Sequence, residues 1–197
     1  MKMSFWRKLV SAYFEEPVAR LLAKLGLSPN SISILGLIGA LVSAYLAAEG
    51  IFLAAGVVML IAGALDLLDG TVARITDRKT RFGALLDSTV DRVSEASILF
   101  GLAVFYMREP NIYGVLLSYF ALVGSFMVSY VRARAGGLRI DCEVGIFPRP
   151  TRVVLLGLGL IIGQWWEPLL IIVLVLISGL TAVTTLQRVL HVRNELE

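Results

Sequence analysis

The sequence predicts an all-α integral membrane bundle, with six transmembrane helices preceded by an amphipathic helix lying in the membrane interface. Three observations predict it. Apolar residues make up 57% of the 197 positions and mean hydropathy is +0.82, above the roughly 45–50% apolar content of soluble domains. Six stretches reach or approach the ~20 predominantly apolar residues that a helical crossing requires. Basic residues crowd into every second connection, as in a chain threaded back and forth through a bilayer. The length suits one domain, with residues 1–30 as interfacial helix and linker, 31–189 as the crossings and 190–197 as a cytoplasmic tail.

Each element has its own signal. Phe5, Trp6, Leu9, Val10, Tyr13 and Phe14 recur at helical spacing, with Arg7, Lys8, Glu15 and Glu16 between them. That pattern suits a helix lying apolar side down on a membrane. The opening stretch lacks an uninterrupted apolar run of roughly 7–15 residues and a small-residue cleavage site, so no cleavable signal peptide is expected. "VARLLAKLGL" continues the pattern after Pro17, and Gly26 and Pro29 break the chain before the first crossing. Crossings are expected at residues 31–48, 52–75, 82–106, 112–133, 151–165 and 168–189. Gly36, Ala40, Ala44 and Ala48 repeat along the first, and Gly56, Gly63 and Gly70 along the second. Small residues let helix backbones approach closely where lipid offers no hydrophobic drive for association. Trp165 and Trp166 fall at an expected outer boundary, where aromatic belts form.

The connections set orientation. Those after the first, third and fifth crossings hold one basic residue, Arg108; the N-terminal stretch, the 74–81 and 132–152 segments and the tail hold nearly all the others. By the positive-inside rule both termini and the two basic connections are cytoplasmic, and the membrane is expected to be the plasma membrane. The net charge of +3 is too small to argue for a nucleic-acid partner. Cys142 is the only cysteine, so no intrachain disulfide forms.

The stretch "DLLDGTVARITDRKTRFGALLDSTVDR" places Asp66, Asp69, Asp87 and Asp91 inside the second and third crossings. An acidic side chain deep in a helical crossing costs about 2.5–3.5 kcal/mol on insertion scales. Four carboxylates therefore need a wet cavity, bound cations, or both. Asp66 and Asp69 are spaced i, i+3, and Asp87 and Asp91 i, i+4, so each pair shares a helix face. A short connection predicts antiparallel neighbouring helices, with the four acids at one depth near the cytoplasmic boundary. Converging carboxylates suit Mg²⁺, Mn²⁺ or Ca²⁺ rather than zinc, and two divalent cations held this way would clamp a phosphate during in-line displacement. Interhelical ion pairs with Arg74, Arg78, Arg81 and Arg92, or an ion or proton path, are the alternatives. Against a path, the fourth to sixth crossings contain no acid.

The pattern D-x2-D-G-x2-A-R-x8-G-x3-D-x3-D, met by Asp66, Asp69, Gly70, Ala73, Arg74, Gly83, Asp87 and Asp91, resembles the motif of the CDP-alcohol phosphotransferases. These are six-helix membrane enzymes that join a CDP-activated alcohol to a second alcohol and release CMP. The resemblance implies that Asp66, Asp69, Asp87 and Asp91 hold two divalent cations, Mg²⁺ with Mn²⁺ as the alternative. It implies Asp91 as the base that takes the proton of the attacking hydroxyl. Asn30, Ser31, Ile32, Ser33, Asp66, Gly70, Ala73, Arg74, Thr80 and Gly83 would bind the CDP-lipid. It also implies a homodimer in contact with membrane lipid.

Acceptor identity must come from outside the motif. Arg132, Arg134, Arg139, Arg149 and Arg152 cluster around the fourth and fifth crossings and are expected to bind the phosphate of a small phosphorylated polyol. "GLSPNSISILG", "TRFGALLDSTVDR" and the S-Y-x-x-A-R-A…R-P-x-R run are similar to the branch that makes phosphatidylinositol phosphate or its archaeal ether-lipid counterpart. Arg132 stands where that branch is expected to carry lysine, and Thr151 where an acid is expected. Inositol 1-phosphate is the expected acceptor, with CDP-diacylglycerol or CDP-archaeol as donor. Glycerol 3-phosphate is the second acceptor considered, and a membrane scaffold or channel with an acidic cluster the non-enzymatic reading.

Overall fold

The computed structural model describes residues 15–197; Phe5, Trp6, Leu9, Val10, Tyr13 and Phe14 of the expected interfacial helix lie outside the described residues. Among those described there are seven α-helices and no strand. They are α1 Glu16–Lys24, α2 Pro29–Ala48, α3 Phe52–Ile75, α4 Arg81–Arg108, α5 Ile112–Gly137, α6 Arg149–Gly163 and α7 Pro168–Leu196.

Local chemistry sets the ends. Gly26 adopts φ +79° between α1 and α2, a conformation open to glycine at no steric cost. Ser28 then caps α2, its Oγ accepting from Ser31 N at 3.1 Å, with Pro29 in the first turn. Thr80 caps α4 by accepting from Gly83 N at 2.9 Å. Asn111 caps α5 through Gly114 N at 3.1 Å. These side-chain oxygens satisfy donors that a helix start leaves without partners.

Helices α2 to α7 close into a ring. Around it α2 packs on α3, α3 on α6, α6 on α7, α7 on α5, α5 on α4, and α4 returns to α2, while α1 lies against α3. Small residues sit where backbones meet. A Cβ on Gly101 of α4 would collide with the Ala44 carbonyl of α2, and one on Gly56 of α3 would come within 2.6 Å of the Gly157 carbonyl of α6. Ala47, Phe52, Leu102, Tyr106 and Leu170 form much of the apolar core, at helix ends remote in sequence from the aspartates.

One expectation changes here. The spans carrying the aspartates, α3 and α4, follow one another through a short loop, yet they pack little on each other; each lies along α2 instead. Loop length limits how far apart two helix ends stand, not which faces meet. The resulting gap holds the candidate site. Among the described helices, four, α2, α3, α5 and α7, are long and apolar enough to cross a membrane. Helix α4 has 28 residues but carries Asp87, Asp91, Arg92 and Glu95 toward its start. Helix α6 has 15 residues and ends before Trp165, where the expectation continued it. Leu35, Ile38, Leu41, Val42 and Tyr45 of α2 are exposed, an apolar surface of the kind that lipid covers. The chain is a membrane protein.

Candidate active site

Asp66 and Asp69 project from the second half of α3, and Asp87 and Asp91 from the first half of α4. Carboxylate oxygens of Asp66, Asp69 and Asp87 all lie within 4.8 Å of one another. Asp69 is buried, 5% exposed, and one of its oxygens accepts a 2.6 Å hydrogen bond from Ser33 Oγ of α2. That bond fixes the carboxylate's orientation. Three carboxylates this close repel one another, and oxygen donors at such spacing fit a hard divalent cation. The residues present therefore fit the expected metal.

Asp91 lies beside Asp66 but is not one of the three that mutually converge. It faces Arg149 of α6, whose Nη1 lies 2.8 Å from Asp91 Oδ1 and 2.6 Å from Asp66 Oδ2. One guanidinium thus joins a motif carboxylate on α3 to one on α4. Arg149 bridges the gap that the weak α3–α4 packing leaves.

Two cavities meet at the aspartates. The first, of about 240 Å³, is lined by Asn30, Ser33, Asp69, Gly70, Ala73, Thr80, Gly83 and Asp87, with Arg78 and Lys79 at its loop side. A Cβ added to Gly70 would meet nothing within 4 Å, so the bare backbone there opens onto free space rather than a neighbouring helix. The second, of about 550 Å³, is lined by Asp87, Asp91, Arg92, Arg132, Arg149, Arg152 and Arg188. Asp87 belongs to both walls. A third, mostly apolar groove of about 250 Å³ runs between α3 and α6 from Leu60 and Val154 to Asp66 and Arg149.

Not every expected residue joins these surfaces. Ile32 is fully buried in a cluster with Ala19 and Val72, and Ser31 pairs with Ser28. Arg74 donates to Thr71 Oγ1 at 2.7 Å and lies 4.0 Å from Glu15, outside the first cavity's lining. Asp66 lines the apolar groove rather than that cavity. Of the five expected arginines, Arg132, Arg149 and Arg152 line the second cavity, whereas Arg134 and Arg139 are exposed and do not. Arg139 sits in a turn at φ +62°.

Arg188 was not among the expected site residues. It is 5% exposed, and it donates to the Val144 carbonyl at 2.9 Å and the Val128 carbonyl at 2.6 Å. No carboxylate pairs with it among the described residues. The signal available was its place on a helix that is otherwise apolar, beside Thr181, Thr184 and Gln187. A buried cation whose only partners are carbonyls is a natural seat for an anion.

Residues 26–190 match the family model of CDP-alcohol phosphatidyltransferases. The archaetidylinositol phosphate synthase of Methanothermobacter thermautotrophicus is 34% identical over 93% of this chain and 91% of its own. The crystal structure of Mycobacterium tuberculosis phosphatidylinositol phosphate synthase with CDP-DAG bound superposes with a TM-score of 0.82 at 32% identity, covering 91% of this chain and 93% of that one. The same enzyme in complex with manganese and citrate gives 0.83 at 30% identity, over 91% and 88% of the two chains.

Proposed function

The chain belongs to the CDP-alcohol phosphatidyltransferase family, and from that premise we propose that it transfers a phosphatidyl-type group from a CDP-lipid to inositol 1-phosphate, releasing CMP. One observation carries the reading: a glycine-floored cavity and an arginine-lined cavity share Asp87 as a common wall. A donor nucleotide on one side and an anionic acceptor on the other would meet at the carboxylates.

Each residue then has a task. Asn30, Gly70, Ala73 and Gly83 form the floor of the nucleotide cavity, with Thr80, Arg78 and Lys79 at its rim. The apolar α3–α6 groove reaches Asp66 and suits the lipid chains of the donor. Asp66, Asp69 and Asp87 would hold two divalent cations, Mg²⁺ or Mn²⁺, with Asp91 completing the set. When bound, these cations neutralise the diphosphate and stabilise the leaving CMP. Arg188, with Arg132 and Arg149 beside it, receives the acceptor phosphate, while Arg152, held by Glu95, backs the cavity wall. Asp91 accepts the proton of the acceptor hydroxyl as its oxygen forms a bond to the β-phosphorus and the bond from that phosphorus to CMP breaks.

In the bilayer, α4 and α6 cross with the four apolar helices, since both are members of the closed ring. The basic cavity end faces the cytoplasm of a plasma membrane. Assembly as a homodimer, implied by the family resemblance, is part of the same proposal.

The test supplies purified protein and CDP-diacylglycerol or CDP-archaeol with inositol 1-phosphate, glycerol 3-phosphate, inositol or serine in separate reactions and measures CMP. The proposal expects release with inositol 1-phosphate. Release with glycerol 3-phosphate alone transfers the acceptor assignment to that compound, and no release with any acceptor removes the enzymatic reading.

A further inference from the structure

Glu95 is the buried acid that the chemistry above does not use. It lies one turn beyond Asp91 on α4, is 7% exposed, and takes both sides of the Arg152 guanidinium. Arg152 Nε donates to Oε1 at 2.6 Å and Nη2 to Oε2 at 2.9 Å. The remaining nitrogen, Nη1, donates to the Phe147 carbonyl at 3.2 Å. Arg152 itself is 1% exposed yet forms part of the arginine cavity wall.

Most guanidiniums around that cavity already have carboxylate partners. Arg149 is matched by Asp66 and Asp91, Arg132 by Glu143 at 3.0 Å, and Arg152 by Glu95. Arg92 and Arg188 contact carbonyl oxygens, of Ser88 for the first and of Val128 and Val144 for the second. Two guanidiniums thus stand without a carboxylate among the described residues. A phosphate monoester carries about −1.5 to −2 charge at neutral pH, and a guanidinium without a carboxylate partner is where it would bind.

We propose that Glu95 is a specificity-determining positioning residue: it neutralises Arg152 and fixes its plane, so that the cavity holds one phosphate monoester instead of anions in general. The proposal rests on the acceptor reading of this cavity. A carboxylate at position 95 also ties α4 to the start of α6. It thereby keeps Arg152 in register with Asp91 and Arg149. Leaving Arg152 uncompensated would add a further guanidinium without a carboxylate and strengthen binding of any compact anion.

The experiment uses the full-length enzyme with inorganic phosphate as probe, measured as a competitor of inositol 1-phosphate in CMP release. In E95Q the inhibition constant for phosphate should fall roughly tenfold, as for loss of one close charge pair, with KM for the CDP-lipid unchanged. E95D keeps the charge and should stay within about twofold of wild type. A folded E95Q enzyme with unchanged or weaker phosphate inhibition overturns the role of Glu95. Should E95Q not fold, R152Q decides, because a bare carboxylate then faces the ligand. Its phosphate inhibition should weaken more than roughly tenfold, and unchanged inhibition in R152Q overturns the proposal. Phosphate that fails to compete with the acceptor in the wild type removes the acceptor-cavity reading itself. Competition in the wild type with an unmoved E95Q removes only the assignment of Glu95.

Discussion

Arg149 Nη1 lies 2.8 Å from Asp91 Oδ1, close enough to hold the acid expected to act as base. The same nitrogen reaches Asp66, so a single guanidinium ties α6 to both aspartate helices. Removing it leaves two carboxylates facing each other across the α3–α4 gap.

The first prediction concerns that tie. Arg149→Met should weaken the fold by about 1–3 kcal/mol, less than breaking a fully buried pair, because the Arg149 side chain is 24% exposed. Mn²⁺ should bind roughly tenfold more tightly, since a competing cation has gone, while CMP release collapses. Calorimetric titration with Mn²⁺ checks it; weaker Mn²⁺ binding would show that Arg149 supports the cation site instead of competing for it.

Two glycines that look alike in sequence should behave oppositely. Gly70→Val places a side chain in open space, so melting temperature should hold while KM for the CDP-lipid rises at least about tenfold, the nucleotide having lost its floor. Gly101→Ala forces a Cβ onto the Ala44 carbonyl and should destabilise by about 1–3 kcal/mol, as overpacking does. Thermal unfolding and steady-state kinetics on both variants separate ligand space from helix packing.

Arg188 separates the cavity arginines from the exposed ones. Arg188→Gln should raise KM for the phosphorylated acceptor by roughly 10²-fold, the order expected for a buried charge-assisted contact, without moving KM for the donor. Arg134→Gln and Arg139→Gln should leave both constants within about twofold, because neither side chain reaches the cavity. Equal effects from all three would mean that bulk positive potential, and not a built site, gathers the acceptor.

Much of this site is legible in the chain itself. The aspartate spacing is readable because four carboxylates in apolar helices need a common reason, and the trio of Asp66, Asp69 and Asp87 does converge. Gly70, Ala73 and Gly83 of the motif, with Thr80 beside them, line one cavity. Helix contacts are harder to read. Nothing in the 76–80 loop says that α3 and α4 each lean on α2, and only that arrangement admits Arg149 between them. Arg188 is missed because a lone arginine near the end of an apolar helix also fits a headgroup anchor. Arg152 looks in sequence like a phosphate ligand, yet its charge is matched by Glu95, 57 positions away.

The most direct test of the account is CMP release from CDP-lipid after exhaustive dialysis against a chelator, followed by titration with Mg²⁺. Carboxylates that hold catalytic cations where the two cavities join predict turnover at background in chelator, full recovery with Mg²⁺ in the wild type, and no recovery in Asp87→Asn. Undiminished turnover in chelator, or an Asp87→Asn enzyme that recovers like the wild type, would contradict it.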